Sequence, residues 1–347
     1  MLLPILASVA ALAFANGAND NFKGVATLYG SGVTRYGRAL SWATLATFAG
    51  CLAAAWLAHK LAVSFSGRAI LDKEFLTVRV AGAVCLAAGG TVLLATLAGM
   101  PVSTTHALVG GLLGAAVSLQ GWAIHWAAIG WTFLLPLATS PLISAALAFC
   151  VTRGMSAESS CVCLEATPAP DGSASIRVVA DTETACERAG AVPVVSGRIL
   201  GRGLHYVSAG AVGFARGLND TPKIAAALLL VPEVGWNGGS IAVLGLVMAL
   251  GGLLGARRVA RTMSRDITPM TDRQGLATNL VTSALVISAS VVGLPVSTTH
   301  VSCGALAGLG LARGGLAGRR FLQILAAWGI TLPFAALLAS IFLALPR

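Results

Sequence analysis

Long apolar runs, separated by short polar stretches, dominate the chain. The runs cover residues 2–15, 39–63, 79–100, 122–149, 238–255, 275–294 and 321–345. Several of them reach the roughly 20 residues that a helix needs to cross a hydrocarbon core. The pattern therefore predicts an all-α, polytopic membrane protein. Composition agrees, because 56% of the residues are hydrophobic and only 10% are charged, whereas an average soluble domain has about 25% charged residues.

The polar interruptions of these runs repeat along the chain. The decapeptide at 14–23 shares its Phe, Ala, Gly, Asn, Asp and Lys with the decapeptide at 214–223. Likewise, the octapeptide at 99–106 recurs almost unchanged at 293–300. Polar groups inside apolar spans are costly, so their presence at matched places indicates a functional site. The chain is thus predicted to contain two copies of one membrane unit.

A polar segment at residues 151–202 separates the two copies. It contains six of the 13 acidic residues together with Pro, Ser and Gly, which is typical of a linker. We therefore predict an N-terminal membrane repeat at 1–150, this linker at 151–202 and a C-terminal membrane repeat at 203–347. Within the linker, residues 175–180 alternate weakly between apolar and polar and suggest a strand.

The linker region also carries cysteines, at positions 150, 161, 163 and 186. Their spacing lacks the paired Cys-x-x-Cys motifs of structural zinc sites. Free, reduced thiols are therefore the favoured interpretation, with a zinc site as the weaker alternative.

Loop charges predict how the two copies lie in the membrane. Each Pro-Val-Ser-Thr-Thr-His segment is bent so that it begins and ends on the same side of the membrane. Each copy then crosses the membrane an odd number of net times, so the second copy must be inverted relative to the first. One side then receives ten arginines in loops 31–38, 256–274 and 313–320, and the other receives four basic residues between 60 and 79. Because basic loops favour the cytoplasm, we expect a cytoplasmic linker, both termini outside, and a location in the inner or plasma membrane. Inverted repeats with broken helices are typical of secondary transporters.

Two other interpretations of the charge and of the N-terminus are disfavoured. The net charge of +10 comes from residues in short loops, without a basic stripe interleaved with aromatic residues, so nucleic-acid binding is not expected. The first apolar run lacks the positive start of a signal peptide, and its end matches the internal copy at 214–215. We therefore interpret it as part of the mature protein.

Asp20 and Asp220 lie within the long apolar stretches, and a lysine follows each of them by three residues. On a helix, that spacing places each Lys beside its Asp, so an internal ion pair is one interpretation. Gly17 and Gly217 instead favour an unwound stretch whose oxygen atoms turn inward and bind a hard cation such as Na⁺. The predicted cation-binding residues are Asp20, Asp220, Asn19 and Asn219.

Each Pro-Val-Ser-Thr-Thr-His motif predicts an anion-binding helix N-terminus. Pro101 and Pro295 break the preceding helix, and Ser-Thr-Thr then starts a new one. Unpaired amides, hydroxyl groups and the positive end of the helix dipole together suit an oxyanion. Hydroxyls that bond back to the preceding turn are the alternative. The predicted anion-binding residues are Ser103, Thr104, Thr105, Ser297, Thr298, Thr299, Asn19 and Asn219.

His106 and His300 end these motifs and are expected to brace the hairpin tips by hydrogen bonds, with a proton relay as the alternative. Glycines that follow, such as Gly110 and Gly304, allow the hairpin arms or neighbouring helices to approach closely. The chain shows no His-rich cluster, so we expect neither a transition metal nor a cofactor.

At the Asn-Asp and Pro-Val-Ser-Thr-Thr-His motifs, the chain resembles the PiT family of inorganic phosphate transporters. The resemblance covers both halves and omits only the linker. It implies a dimeric, inverted-repeat symporter of phosphate with Na⁺ or H⁺, with the ions at Asp20 and Asp220 and phosphate at the Ser-Thr-Thr runs. The family often has Ala-Asn where this chain has Phe22-Lys23 and Pro222-Lys223. Lys23 and Lys223 are therefore predicted to modulate the site, as built-in cations or by favouring proton coupling.

Three other functions were weighed against phosphate symport. A permease for sulfate or another tetrahedral oxyanion, with the same fold, is the nearest alternative. A membrane enzyme acting on a phosphorylated lipid, with His106 or His300 as base, is disfavoured because no nucleophile–base pair with an orienting acid is evident. An ion channel would not need duplicated carboxylates beside oxyanion-binding motifs. The chain is therefore predicted to be a transporter and not an enzyme.

Overall fold

The computed structural model describes residues 2–155, 160–168 and 174–346, and helices form most of it. The helices before the linker are α1 (Leu2–Asp20), α2 (Ala26–Gly30), α3 (Tyr36–Leu57), α4 (His59–Ser64), α5 (Val78–Leu97), α6 (Thr104–Gln120), α7 (Trp126–Ile129) and α8 (Leu135–Arg153). Two 3-10 turns and one π-helical turn accompany them, at Lys23–Val25, Lys73–Phe75 and Gly130–Leu134. The predicted helical architecture is confirmed.

The segment after α8 folds around a small antiparallel sheet. Its elements are β1 (Ser160–Pro168), β2 (Ala174–Thr182), α9 (Glu183–Arg188) and β3 (Val192–Ser196), in the sheet order β2-β1-β3. The strand suggested at 175–180 lies within β2. The two other strands of the described residues had no counterpart in the sequence prediction.

Three cysteines meet on this sheet. Cys161 and Cys163 are two residues apart on β1 and therefore lie on one face, and α9 brings Cys186 to the same place. Cys163 and Cys186 form a disulfide, and the Sγ atom of Cys161 lies 2.6 Å from that of Cys163. The expectation of free thiols is therefore wrong for Cys163 and Cys186, whereas Cys150 is exposed and free in α8.

The second half repeats the order of the first. Its helices are α10 (Gly197–Ala225), α11 (Gly238–Gly255), α12 (Arg257–Arg261), α13 (Asp272–Val292), α14 (Thr298–Arg313) and α15 (Gly318–Ala344). A 3-10 segment at Ala226–Leu230 follows α10, and a π-helical turn at Thr262–Asp266 follows α12. Both halves thus consist of a first helix followed by a 3-10 segment, a plain helix, a helical hairpin and a closing helix.

Seven helical segments of the described residues are long and apolar enough to cross a membrane. They are Leu2–Gly30, Tyr36–Leu57, Val78–Leu97, Trp126–Arg153, Gly238–Gly255, Asp272–Val292 and Gly318–Ala344. Helix α10 is not among them, because its first turns carry Arg198 and Arg202 and its second half carries the charged repeat motif.

Helix pairing is reciprocal between the two halves. Helix α1 packs against α5 and α11, and α10 packs correspondingly against α13 and α3. In the same way, α6 packs along α15 and α14 packs along α8, so the closing helix of each half holds the hairpin of the other. Such reciprocity is expected of two units related by a two-fold axis. Their opposite orientation in the membrane stays a prediction.

Glycines allow the backbones to touch where these helices cross. A Cβ atom at Gly110 or Gly114 would lie 2.2 or 2.1 Å from carbonyl oxygens of α15. A Cβ atom at Gly304 or Gly308 would lie 2.3 or 2.1 Å from carbonyl oxygens of α8. No side chain fits at such distances, so these positions fix how closely each hairpin approaches its partner helix.

Gly17 and Gly217 also serve helix packing and do not unwind the chain. Both lie inside helices, and a Cβ atom there would lie 1.9 or 2.1 Å from backbone oxygens of α11 or α3. The predicted unwinding before the Asn-Asp motif is therefore wrong. Helix α1 is interrupted only after Asp20, and α10 continues through Pro222 to its end.

Gly114→Ala is expected to lower the midpoint of thermal unfolding in detergent, because its methyl group would overlap the Ala336 carbonyl oxygen. Overpacking of this kind costs about 1–3 kcal/mol. Gly329→Ala is the matched control, because nothing lies within 4 Å of a Cβ atom at that position of α15. Equal midpoints for the two variants would contradict the close helix contact.

Candidate functional site

A buried polar cluster lies where α1 and α10 meet the loops of the two hairpins. Asp20 and Asp220 are 1% and 2% exposed, and no other acidic side chain in the described part of the chain is buried. Lys23 and Lys223 are buried beside them. Buried charges are tolerated only when they are paired and hydrogen-bonded, so the contacts of these four groups define the site.

Four oxygen atoms enclose the Lys23 ammonium group. It donates hydrogen bonds to the Asp20 carboxylate and to the Thr299 hydroxyl. It also donates to Asn19 Oδ1 and to the Val102 carbonyl oxygen, both at 3.1 Å. Thr299 belongs to the second repeat and the other partners belong to the first. Both repeats therefore build this site.

The Lys223 ammonium group occupies the equivalent place in the second copy. It donates to the Thr105 hydroxyl at 2.8 Å and to the Val296 carbonyl oxygen at 2.6 Å. It lies 3.7 Å from the Asp220 carboxylate. Here too, the opposite repeat supplies the hydroxyl group. An Asp–Lys ion pair, the alternative interpretation of the Asn-Asp motif, is thus present in both copies.

Asn19 and Asn219 connect the Asn-Asp helices to the hairpins. The Asn19 amide nitrogen donates to Thr96 Oγ1 at 2.9 Å. The Asn219 side chain accepts a hydrogen bond from Ser290 Oγ at 3.1 Å and donates to the Val296 carbonyl oxygen at 3.2 Å. Each asparagine therefore positions its own aspartate next to the end of the first hairpin arm.

The hydroxyl-bearing residues of the two motifs begin α6 and α14. Ser103 and Ser297 accept hydrogen bonds from the backbone N–H groups of His106, at 3.1 Å, and His300, at 3.2 Å, which is the usual N-cap arrangement. The threonines that follow are buried in the first helical turns: Thr104, Thr105, Thr298 and Thr299. Two helix N-termini, each with the positive end of a dipole, thus lie at the same cluster.

Asn16 and Arg216, at equivalent positions of the two copies, were missed by the sequence prediction. The Asn16 amide nitrogen donates to both carboxylates, at 3.4 Å to Asp20 and 3.2 Å to Asp220. Arg216 donates to Asn16 Oδ1 at 2.5 Å, and its Nε lies 3.6 Å from Asp220 Oδ2. One feature of the sequence could have identified them: the decapeptides share their acid and their lysine, yet one has Asn where the other has Arg.

Positive charge exceeds negative charge in this cluster. Three cationic side chains, of Lys23, Lys223 and Arg216, lie against two carboxylates within the described residues. The buried Arg216 Nε has no hydrogen-bond partner among the described residues. The cluster therefore has both the charge and a free donor for an anionic ligand.

The two histidines that end the motifs contact each other, with ring centroids 4.5 Å apart. His300 Nδ1 lies 3.1 Å from the Leu137 carbonyl oxygen, and the His300 ring lies 3.9 Å from that of Trp328. His300 therefore links the tip of the second hairpin to α8 and α15. His106 Nδ1 and His300 Nε2 have no partner among the described residues.

The structure brings the predicted anion-binding and cation-binding residues into one region. However, the carbonyl oxygen atoms in this region do not belong to the segment that the sequence predicted. The carbonyl groups that face the two lysines belong to Val102 and Val296, in the hairpin loops. They do not come from an unwound stretch before the Asn-Asp motif, because α1 and α10 remain helical up to Asp20 and Asp220. The binding roles themselves stay predictions.

Residues 16–339 match the model of the phosphate transporter family. The chain belongs to this family. The resemblance to inorganic phosphate transporters is thereby confirmed, and the family consists of transporters, not enzymes. A relative from Rhizobium meliloti, described as a "probable low-affinity inorganic phosphate transporter", is 29% identical over 98% of this chain and 96% of its own length. A chloroplastic inorganic phosphate transporter of Arabidopsis thaliana is 28% identical over 94% of this chain and 69% of its own length.

A solved structure, described as "the sodium-dependent phosphate transporter", has the same fold. The two structures superpose with a TM-score of 0.78 over 98% of this chain and 97% of the other, at 19% sequence identity. At that identity the likeness concerns the fold alone. Family membership and the seven apolar helices of the described residues together make this a multi-pass membrane protein.

Asp20→Asn is expected to lower the midpoint of thermal unfolding more than the double variant Asp20→Asn/Lys23→Met. Removing one partner of a buried ion pair leaves an uncompensated charge, at a cost of about 3–5 kcal/mol, whereas removing both leaves none. Scanning fluorimetry in detergent measures both variants, with the exposed Lys60→Met as control. If the losses in midpoint caused by Asp20→Asn and by Lys23→Met alone add up to the loss in the double variant, the two residues are not a direct pair.

Proposed function

We propose that this chain carries inorganic phosphate across the membrane as a secondary active symporter, coupled to a cation that is Na⁺ or H⁺. Membership of the phosphate transporter family supports phosphate as the substrate. The main structural support is the convergence of two helix N-termini and a buried arginine on one cluster of excess positive charge.

Phosphate would bind between the first turns of α6 and α14. Backbone amides at a helix N-terminus have no intrahelical partner, so they can donate to an oxyanion without breaking a helical bond. The threonine hydroxyls of both repeats lie in these turns. Arg216 adds a planar donor whose Nε is unpartnered in the described residues. A tetrahedral anion can accept hydrogen bonds from all these directions at once.

The carboxylates of Asp20 and Asp220 give the transporter a reason to couple phosphate to a cation. A carboxylate at about 5 Å from an anionic oxygen costs roughly 3 kcal/mol per charge pair at an effective dielectric constant of about 20. A cation beside each carboxylate, whether a lysine side chain or a transported ion, cancels that repulsion. Where that cation is a transported ion, anion binding and cation binding favour each other, which is the thermodynamic basis of symport.

We also propose a membrane location, a topology and an oligomeric state for the protein. We place it in the inner or plasma membrane, with the linker in the cytoplasm and both termini outside, which the arginine bias of the loops supports. We also propose a homodimer, which the family resemblance supports. The two halves are proposed to be inverted, and their reciprocal helix pairing fits a two-fold axis between them.

Sulfate is the second candidate substrate, because hydrogen-bond donors alone do not distinguish between two tetrahedral oxyanions. Membership of the phosphate transporter family supports phosphate over sulfate.

Purified protein in sealed vesicles should accumulate radiolabelled phosphate when a sodium or proton gradient is imposed. Asp20→Asn/Asp220→Asn is expected to lose this coupled uptake by about tenfold or more, because the cation-binding charge is gone. The exposed Asp72→Asn, outside the cluster, is the matched control and should transport normally. Intact coupled uptake by the double variant would contradict the proposal, and faster uptake of sulfate than of phosphate would favour the alternative.

A further inference from the structure

We propose that Lys23 and Lys223 are the resident cations of the two carboxylate sites, so that phosphate binding by this chain needs no sodium. The inference rests on the proposed phosphate transport and names the ion requirement of that same site. It narrows the choice between Na⁺ and H⁺ that the proposed function leaves open. The solved sodium-dependent relative shares only 19% identity with this chain, so its ion requirement does not carry over.

The two ammonium groups contact the oxygen atoms that would otherwise coordinate a hard cation. Lys23 is bonded to a carboxylate, an amide oxygen, a backbone carbonyl and a hydroxyl group. Lys223 is bonded to a carbonyl and a hydroxyl group and lies beside the second carboxylate. Carboxylate, carbonyl and amide oxygens are the usual ligands of hard metal ions in proteins. An ion arriving at either aspartate would have to displace the lysine.

Displacement is opposed by the packing around each lysine. Each one follows its aspartate by a single helical turn, and both lysine side chains are only 1% exposed. The Lys223 ammonium group also lies 5.8 Å from the centre of the Phe65 ring, where a cation is attracted to the ring face. A lysine that left its site would be a buried charge without a partner, which is strongly unfavourable.

Without bound sodium, the cluster needs the charges of both lysines in order to attract an anion. With them, three cationic side chains face two carboxylates in the described residues, and an anion is attracted. Without them, Arg216 alone would face two carboxylates, and an anion would be repelled unless metal cations entered. The lysines therefore perform the electrostatic role that sodium ions would otherwise perform.

The arrangement occurs independently at two sites of one chain. Four of the ten positions of the decapeptides differ, among them Asn16 opposite Arg216 and Phe22 opposite Pro222. The lysine is the same in both, and in both it reaches a carbonyl of its own repeat and a threonine hydroxyl of the other. A single buried lysine could be incidental, but two equivalent ones indicate a shared role.

The test measures equilibrium binding of radiolabelled phosphate to the full-length protein in detergent, while choline chloride is replaced stepwise by sodium chloride at constant ionic strength. The wild-type affinity is expected to stay constant. Lys23→Met/Lys223→Met is expected to bind phosphate at least about tenfold more weakly without sodium and to regain affinity as sodium rises. Lys60→Met/Lys73→Met changes the two other lysines of the chain, both exposed, and should behave like wild type.

A rise of about tenfold in wild-type affinity with sodium would overturn the inference, as would a double Met variant whose affinity does not respond to sodium. The wild-type titration and direct binding of radioactive sodium need no variant, so they decide the matter even if the Met variant does not fold. A sodium-insensitive wild type that retains no radioactive sodium supports resident lysines. Absence of phosphate binding by the wild type under every condition would instead refute the proposed function.

Discussion

The membrane core contains two buried carboxylates, and both must be neutralised there. Asp20 and Asp220 are almost fully buried, so each needs a cation and hydrogen bonds. Their partners come from both repeats: each lysine bonds a threonine hydroxyl at the tip of the opposite hairpin. The same contacts that stabilise the charges therefore also hold the two halves together at their centre.

Helix packing determines where those hairpin tips lie. The second arm of each hairpin touches the closing helix of the opposite half through glycines at which no side chain fits, such as Gly114 and Gly308. Backbone contact of this kind leaves little freedom along or around the helix axis. The N-termini of α6 and α14 are thereby placed beside the two aspartates, where Thr299 and Thr105 contact Lys23 and Lys223.

The sequence contained the duplicated units, the apolar helices and the two motifs, because each of these is a local or periodic pattern. It did not contain the contacts between repeats, such as that of Thr299 with Lys23, since these depend on how two distant segments dock. The role of Gly17 is not local either: a glycine inside a helix is compatible with unwinding or with close packing, and only the neighbouring helix decides. Arg216 has no counterpart in the first copy, so a comparison of the repeats for shared residues does not point to it.

The contacts across the repeats also suggest how access could alternate. If the halves are inverted as predicted, alternating access would move them against each other, and the two threonine–lysine hydrogen bonds join them at their centre. Each lysine lies on the same segment as its own aspartate, so opening either bond does not expose a bare carboxylate. The cost is then that of one hydrogen bond to a charged group, about 1.5–3 kcal/mol.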